Sequence, residues 1–138
     1  MQPDSVPNGT EQQVPSFEFK SVLLVDDDRQ LLSALQWILA DQNFLVDAAY
    51  DGKEALDKIR QYDYDAIVCD VVMPRLRGNE FYTQAVQLRP KLADRFIFIT
   101  GYAADTQVNL FLCKVGCKYL MKPFPVQKLI DCLNQLLA

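Results

Sequence analysis

The sequence predicts an α/β protein with a five-stranded parallel sheet between two layers of helices, and three observations predict it. Short apolar runs alternate with segments of helical period from Phe19 onward, in five pairs, the pattern of βα repeats. Four of the runs end in a polar residue: Val22–Val25 in Asp26 and Asp27, Ala66–Cys69 in Asp70, Phe96–Ile99 in Thr100, and Tyr119–Met121 in Lys122. The chain has 138 residues, 50% of them hydrophobic and 23% charged. A domain of this size buries roughly 70% of the surface its unfolded chain exposes, so one core is expected.

Residues 1–18 carry Pro3, Pro7, Pro15 and the Asn8-Gly9 pair with few apolar side chains, and read as a tail or linker. Residues 19–138 then form the folded domain. After the first strand, a helix is expected from about Asp28, its carboxylates capping free amides and its face formed by Leu31, Leu35, Ile38 and Leu39. Trp37 falls opposite that face and should be exposed, as a scattered surface aromatic or as a contact for Phe17 or a partner. The second strand spans Phe44 to Ala48, and Asp51-Gly52 turns into a helix that buries Ala55, Leu56 and Ile59. The third strand is Asp65 to Asp70; Met73-Pro74 breaks regularity and Gly78 supplies a permissive backbone position. A helix with Phe81, Ala85 and Val86 inward stops at Arg89-Pro90. The fourth strand is Arg95 to Thr100, and a helix from about Ala104 to Val115 ends at Gly116, suited to a left-handed cap. Lys118 to Met121 is the fifth strand, and a last helix turns Val126, Leu129, Ile130, Leu133 and Leu137 to the sheet, with no effector domain expected after it.

Composition excludes several classes. A net charge of −4 without a Lys/Arg cluster argues against direct binding of nucleic acid. The four cysteines come with no histidine, and Cys113 and Cys117 do not form a CxxC knuckle, so neither zinc nor disulfides are expected. No apolar run approaches the ~20 residues of a membrane span, and no signal core opens the chain. A cytoplasmic protein is expected, and the Asn8-Gly9-Thr10 sequon is read as a coincidence.

In an open parallel sheet the carboxyl ends of the strands line the crevice where ligands bind. Three carboxylates, a hydroxyl and an ammonium would then share one pocket, and unit charges ~4 Å apart repel by about 4 kcal/mol at an effective dielectric of ~20. A cation must offset that, and oxygen donors of this kind suit Mg²⁺ with a phosphoryl group. Each residue also has a plain reading: Asp26, Asp27 and Asp28 as helix caps, Asp70 as a turn residue, Thr100 as a β-former, Lys122 as a solvated lysine. Their joint placement at strand ends favours the pocket.

The phrases Leu24-Val25-Asp26-Asp27-Asp28, Cys69-Asp70-Val71-Val72-Met73-Pro74, Ile99-Thr100-Gly101 and Met121-Lys122-Pro123-Phe124 resemble the receiver domain of two-component response regulators, from about Ser21 to Ala138. The resemblance implies a flavodoxin-like (CheY-like) sheet in the order 2-1-3-4-5. It implies Asp70 as the phosphoacceptor and Mg²⁺ held by Asp26, Asp27, Asp70 and the backbone carbonyl of Val72. Thr100 and Lys122 would contact the phosphoryl oxygens, and Tyr119 would be the aromatic switch residue, or else a plain half-buried aromatic. A cis Lys122–Pro123 peptide is implied as well. Val72, Tyr102 and Gly101 fall at modulating positions; an apolar and an aromatic residue where the family gates water imply slow hydrolysis. Arg75 and Arg77 depart from the family's commoner residues. The implied partners are a histidine kinase or phosphotransfer protein, a downstream effector, and a second copy on phosphorylation. Three rivals stay open. A haloacid-dehalogenase-type phosphatase expects an Asp-x-Asp-x-Thr/Val run, yet Gln30 stands two residues past Asp28; a degenerate interaction module should have lost part of the acid cluster; and in a flavin carrier Asp26 and Asp27 would repel the flavin's phosphate unless a metal intervened.

Overall fold

Five parallel strands, β1 (Lys20–Val25), β2 (Phe44–Ala49), β3 (Ala66–Asp70), β4 (Phe96–Thr100) and β5 (Lys118–Met121), hydrogen-bond in the order β2-β1-β3-β4-β5. They belong to a computed structural model that describes residues 19–71, 77–101 and 106–138. Helices α1 (Arg29–Ala40), α2 (Gly52–Gln61), α3 (Gly78–Leu88), α4 (Thr106–Val115) and α5 (Val126–Leu136) complete the flavodoxin-like fold, with a 3₁₀ turn at Pro90–Asp94. The expected tail, Val72, Met73-Pro74, Arg75, Tyr102 and the start of the fourth helix near Ala104 lie outside the described residues.

The period-two side-chain alternation of a strand divides the core. Leu23, Val25, Ile67, Cys69, Phe96 and Phe98 face α2, α3 and α4. Val22, Leu24, Ala66, Val68, Ile97 and Ile99 face α1 and α5, where they meet Leu32, Leu35, Leu129 and Leu133. Every residue of β3 and β4 is buried, which is why these strands read as unbroken apolar runs. On the first face the Phe96 and Phe98 rings stack at 5.2 Å, and Tyr82 meets Phe96 edge-on at 4.9 Å. Such pairs add about 0.5–1.5 kcal/mol each to the burial of the rings.

Local signals fix the helix ends. The Asp28 carboxylate accepts from the Leu31 amide at 3.0 Å and caps α1, as expected. Asp51 caps α2 through the Glu54 amide at 2.8 Å, and Glu54 reaches back to the Tyr50 amide at 2.8 Å. Gly116 closes α4 at φ 67°, in the left-handed region where glycine carries no side-chain penalty.

Three expectations need correction. The buried face of α1 is Leu32, Leu35 and Leu39; Leu31 only flanks it and Ile38 is exposed. Adjacent Leu31 and Leu32 allow two stripes a short rotation apart, and the sheet selects the second. Trp37, opposite either stripe, is 79% exposed as expected. Val86 is half-buried while Phe81 and Ala85 are fully buried. Gly78 is not a left-handed position but the first residue of α3, and its lack of a side chain serves space instead of conformation.

Candidate functional site

The strand registers assemble the site. Val25 of β1 lies beside Cys69 of β3, Asp70 beside Ile99 of β4, and Thr100 beside Met121 of β5. The next residues along these strands therefore emerge together at the carboxyl edge, and the backbone there is tied: the Lys122 amide donates to the Thr100 carbonyl at 2.8 Å and the Val71 amide to the Ile99 carbonyl at 3.0 Å. The Lys122–Pro123 peptide is cis, as expected.

Asp26, Asp70 and Thr100 are the buried polar or charged side chains among the described residues, 2%, 6% and 1% exposed. Ionised groups in such places need partners. Lys122 supplies one from the far side of the cleft, its Nζ donating to Asp26 Oδ2 at 3.0 Å and to Asp70 Oδ2 at 3.2 Å. Asp26 Oδ1 also accepts from the Asp28 amide at 3.0 Å. Desolvation works to lower the lysine's pKa, but Asp26 and Asp70 outweigh it and raise it above the ordinary value, so the ammonium form is held.

Asp27 completes the cluster from an exposed position; one carboxylate oxygen from each of Asp26, Asp27 and Asp70 lies within 4.8 Å of the others. Partial burial first, and then the neighbouring Asp26 carboxylate, hold Asp27 above the usual carboxylate range. Three carboxylates against one ammonium leave an excess of negative charge that a bound cation would relieve. A hard divalent ion taking carboxylate oxygens fits that donor set. Beside them, burial and then the Asp70 and Asp26 charges push the Cys69 thiol well up, so it stays a protonated core residue.

Gly78 was not foreseen as part of the site. Its amide donates to the Val71 carbonyl at 2.9 Å, and a Cβ on it would lie 2.7 Å from both the Asp70 carbonyl oxygen and Val71 Cα. A glycine opening the helix that follows a strand-end carboxylate was the available signal. Tyr119 stands on β5, 52% exposed, with its Cα beside that of Phe98. Gly101 is exposed next to Lys122. Val72 and Tyr102 lie outside the described residues.

A sheet in this order with an acid cluster at its carboxyl edge defines the CheY-like class of receiver folds. Residues 22–134 match the family model described as the response regulator receiver domain, and the chain belongs to that family. Among relatives, it is 34% identical over 118 residues to the probable transcriptional regulator ycf29 of Pyropia yezoensis, covering 85% of this chain and 53% of that protein. It is 30% identical over 117 residues to the response regulator ArlR of Staphylococcus aureus, covering 84% and 52%. The chain thus spans about half the length of the curated relatives it matches. A receiver domain protein (CheY-like) from Methanospirillum hungatei JF-1 superposes with a TM-score of 0.80 at 30% identity, covering 87% of this chain and 94% of that one. The response regulator TrrA of Thermotoga maritima, solved in complex with Mg²⁺ and BeF, gives 0.74 at 25% identity, covering 86% and 99%.

The chain is therefore a receiver domain of the kind found in two-component systems, with a signalling role. Response regulators act between histidine kinases and downstream effectors. No helix among the described residues is long and apolar enough to cross a membrane.

Proposed function

We propose that this receiver accepts a phosphoryl group on Asp70, and that residues 19–138 form the receiver while residues 1–18 act as a tail or linker. The observation that carries the reading is Lys122, whose ammonium bridges Asp26 and Asp70 inside a cleft that also holds Asp27 and Thr100. Asp26, Asp27 and Asp70 would hold Mg²⁺, with the backbone carbonyl of Val72 as the further oxygen that the family resemblance implies. When bound, Mg²⁺ supplies charge neutralisation for the oxygens of the transferring group.

The chain's own groups do the rest. A carboxylate oxygen of Asp70 attacks phosphorus in line, and the P–N bond of a phosphohistidine breaks with its electron pair passing to the imidazole. The product is a mixed anhydride on Asp70. The Lys122 ammonium and the Thr100 hydroxyl stabilise the charge gathering on the phosphoryl oxygens, and transfer of this kind depends on positioning and charge more than on further covalent help. Attack of water on phosphorus then returns the carboxylate and releases inorganic phosphate. Val72 and Tyr102 at the water-gating positions, with Gly101 as a further modulating residue, make that hydrolysis slow. Thr100 turned to the phosphoryl group leaves space beside β4, and Tyr119 moves inward to fill it, changing the surface offered to a partner.

The donor is a histidine kinase or phosphotransfer protein, the reader a downstream effector or a second phosphorylated copy, and the setting the cytoplasm. Intact mass after incubation with Mg²⁺ and a small acyl phosphate tests the reading. The expected gain is about 80 Da, one phosphoryl group, requiring both Mg²⁺ and Asp70. An adduct that persists in Asp70→Asn sinks it.

A further inference from the structure

We propose that the free edge of β2 is a docking site for an extended segment of a partner protein in which apolar side chains alternate with lysine or arginine. β2 is the terminal strand of the sheet, and among the described residues it pairs with β1 alone. The amides and carbonyls it turns away from β1 are open to another strand. The proposal stands on this sheet edge and is independent of the chemistry at Asp70.

Two shallow grooves, sharing Val46 but otherwise unlike in lining, flank the strand. On the α1 side, a groove of about 340 Å³ runs between Trp37, Ala40 and Val46. On the α2 side, one of about 400 Å³ is lined by Leu45, Asp47, Tyr62 and Asp63 among others. The side chains of β2 already alternate between them: Phe44 and Val46 pack in the core beneath α1, while Asp47 accepts from Tyr64 on the other side at 2.6 Å. A strand laid alongside must alternate in the same way. One set of its side chains falls over the exposed indole, which suits aliphatic groups, and the other over carboxylates beside a tyrosine ring, which suits cations. Neither groove is lined by a lysine or arginine. Both carboxylate oxygens of Asp63 already meet the Lys91 ammonium, at 2.6 and 2.7 Å, so the charge this groove offers to a partner's cation is that of Asp47.

Charge also selects among occupants. Residues 1–18 contain Asp4, Glu11 and Glu18 and no basic residue, and Pro15 cannot donate to a ladder. A second copy pairing antiparallel about the strand centre would bring Asp47 towards its own counterpart, an unfavourable like-charge pair. A basic, alternating segment from another protein meets neither obstacle.

The test uses the full chain and a blocked peptide of alternating valine and lysine, read by fluorescence of Trp37, the single tryptophan, and by amide exchange across Phe44–Ala49. A blue shift with slowed exchange in that strand is expected, with Asp47→Asn weakening the peptide roughly two- to five-fold and Trp37→Ala, followed by exchange, roughly tenfold. Four outcomes would overturn the proposal: no binding, equal binding by the same residues in separate valine and lysine blocks, self-association that covers Trp37 without peptide, or a changed Trp37 spectrum on deleting residues 1–18.

Discussion

Replacing Gly78 by alanine tests how closely α3 is pressed onto the end of β3. The new Cβ would lie 2.7 Å from the Asp70 carbonyl oxygen and from Val71 Cα, and 3.0 Å from the Val71 carbonyl oxygen. Carbon contacts settle at ~3.5–4.0 Å, so the first turn of α3 must withdraw by roughly 1 Å. All three atoms are backbone and cannot rotate aside. The withdrawal stretches the 2.9 Å bond from the Gly78 amide to Val71 past useful length, a loss of about 1 kcal/mol. Overpacking adds about 1–3 kcal/mol, and alanine's better fit to a helix returns about 0.5–1 kcal/mol. The net loss is about 1–3.5 kcal/mol, a fall in Tm of about 3–14 °C for a domain of this size. Thermal unfolding followed by circular dichroism measures it, and the rate of the phosphoryl adduct should fall too, because the atoms the new Cβ presses on belong to Asp70 and its neighbour. A Tm within about a degree of wild type would refute the reasoning.

Lys122→Met leaves the buried Asp26 and Asp70 carboxylates facing each other; a loss of about 2–3 kcal/mol is expected in metal-free buffer, partly recovered with Mg²⁺, and denaturant unfolding in both buffers checks it. Wild type itself should gain about 2.7 kcal/mol at Mg²⁺ a hundredfold above its Kd, and a Tm indifferent to Mg²⁺ would contradict the metal assignment. Tyr64→Phe removes the 2.6 Å bond to Asp47 and should cost about 1–2 kcal/mol at neutral pH. Burial first, and then Asp47, raise the Tyr64 hydroxyl above the ordinary phenol range, whereas unfolded tyrosine titrates near ~10. That contribution is complete below about pH 10 and falls as pH rises towards the folded value. Wild type should therefore lose stability more steeply than the phenylalanine variant on the alkaline side, which denaturation on both sides of ~10 would show.

The elements were legible because β3 and β4 are buried on both faces and advertise themselves as Ala-Ile-Val-Cys and Phe-Ile-Phe-Ile. The residues brought together at the carboxyl edge were legible for a related reason: an aspartate, threonine or lysine ending such a run has nowhere to go but the crevice. The stripe of α1 was not, since Leu31 and Leu32 satisfy helical spacing equally and only packing against Val22 and Leu24 decides. The 3₁₀ turn at Pro90–Asp94 escaped because Leu92, its one buried anchor, is a single apolar residue among polar ones. Gly78 was seen but misread, because glycine's two virtues, conformational freedom and small size, look the same in a sequence.

The layer formed by α1 and α5 has a consequence for how the chain comes off the ribosome. Val22, Leu24 and Leu35 of β1 and α1 share a core with Leu129, Ile130 and Leu133 of α5. While the first part emerges, β1 can pair with β2 and then β3, yet the α5 half of that sheet face stays bare until the final helix is made. Ile97 and Ile99 wait uncovered for it. A nascent receiver short of α5 thus leaves half of one sheet face bare, and a stall or truncation before Val126 would present an adhesive apolar surface to chaperones or to neighbouring chains.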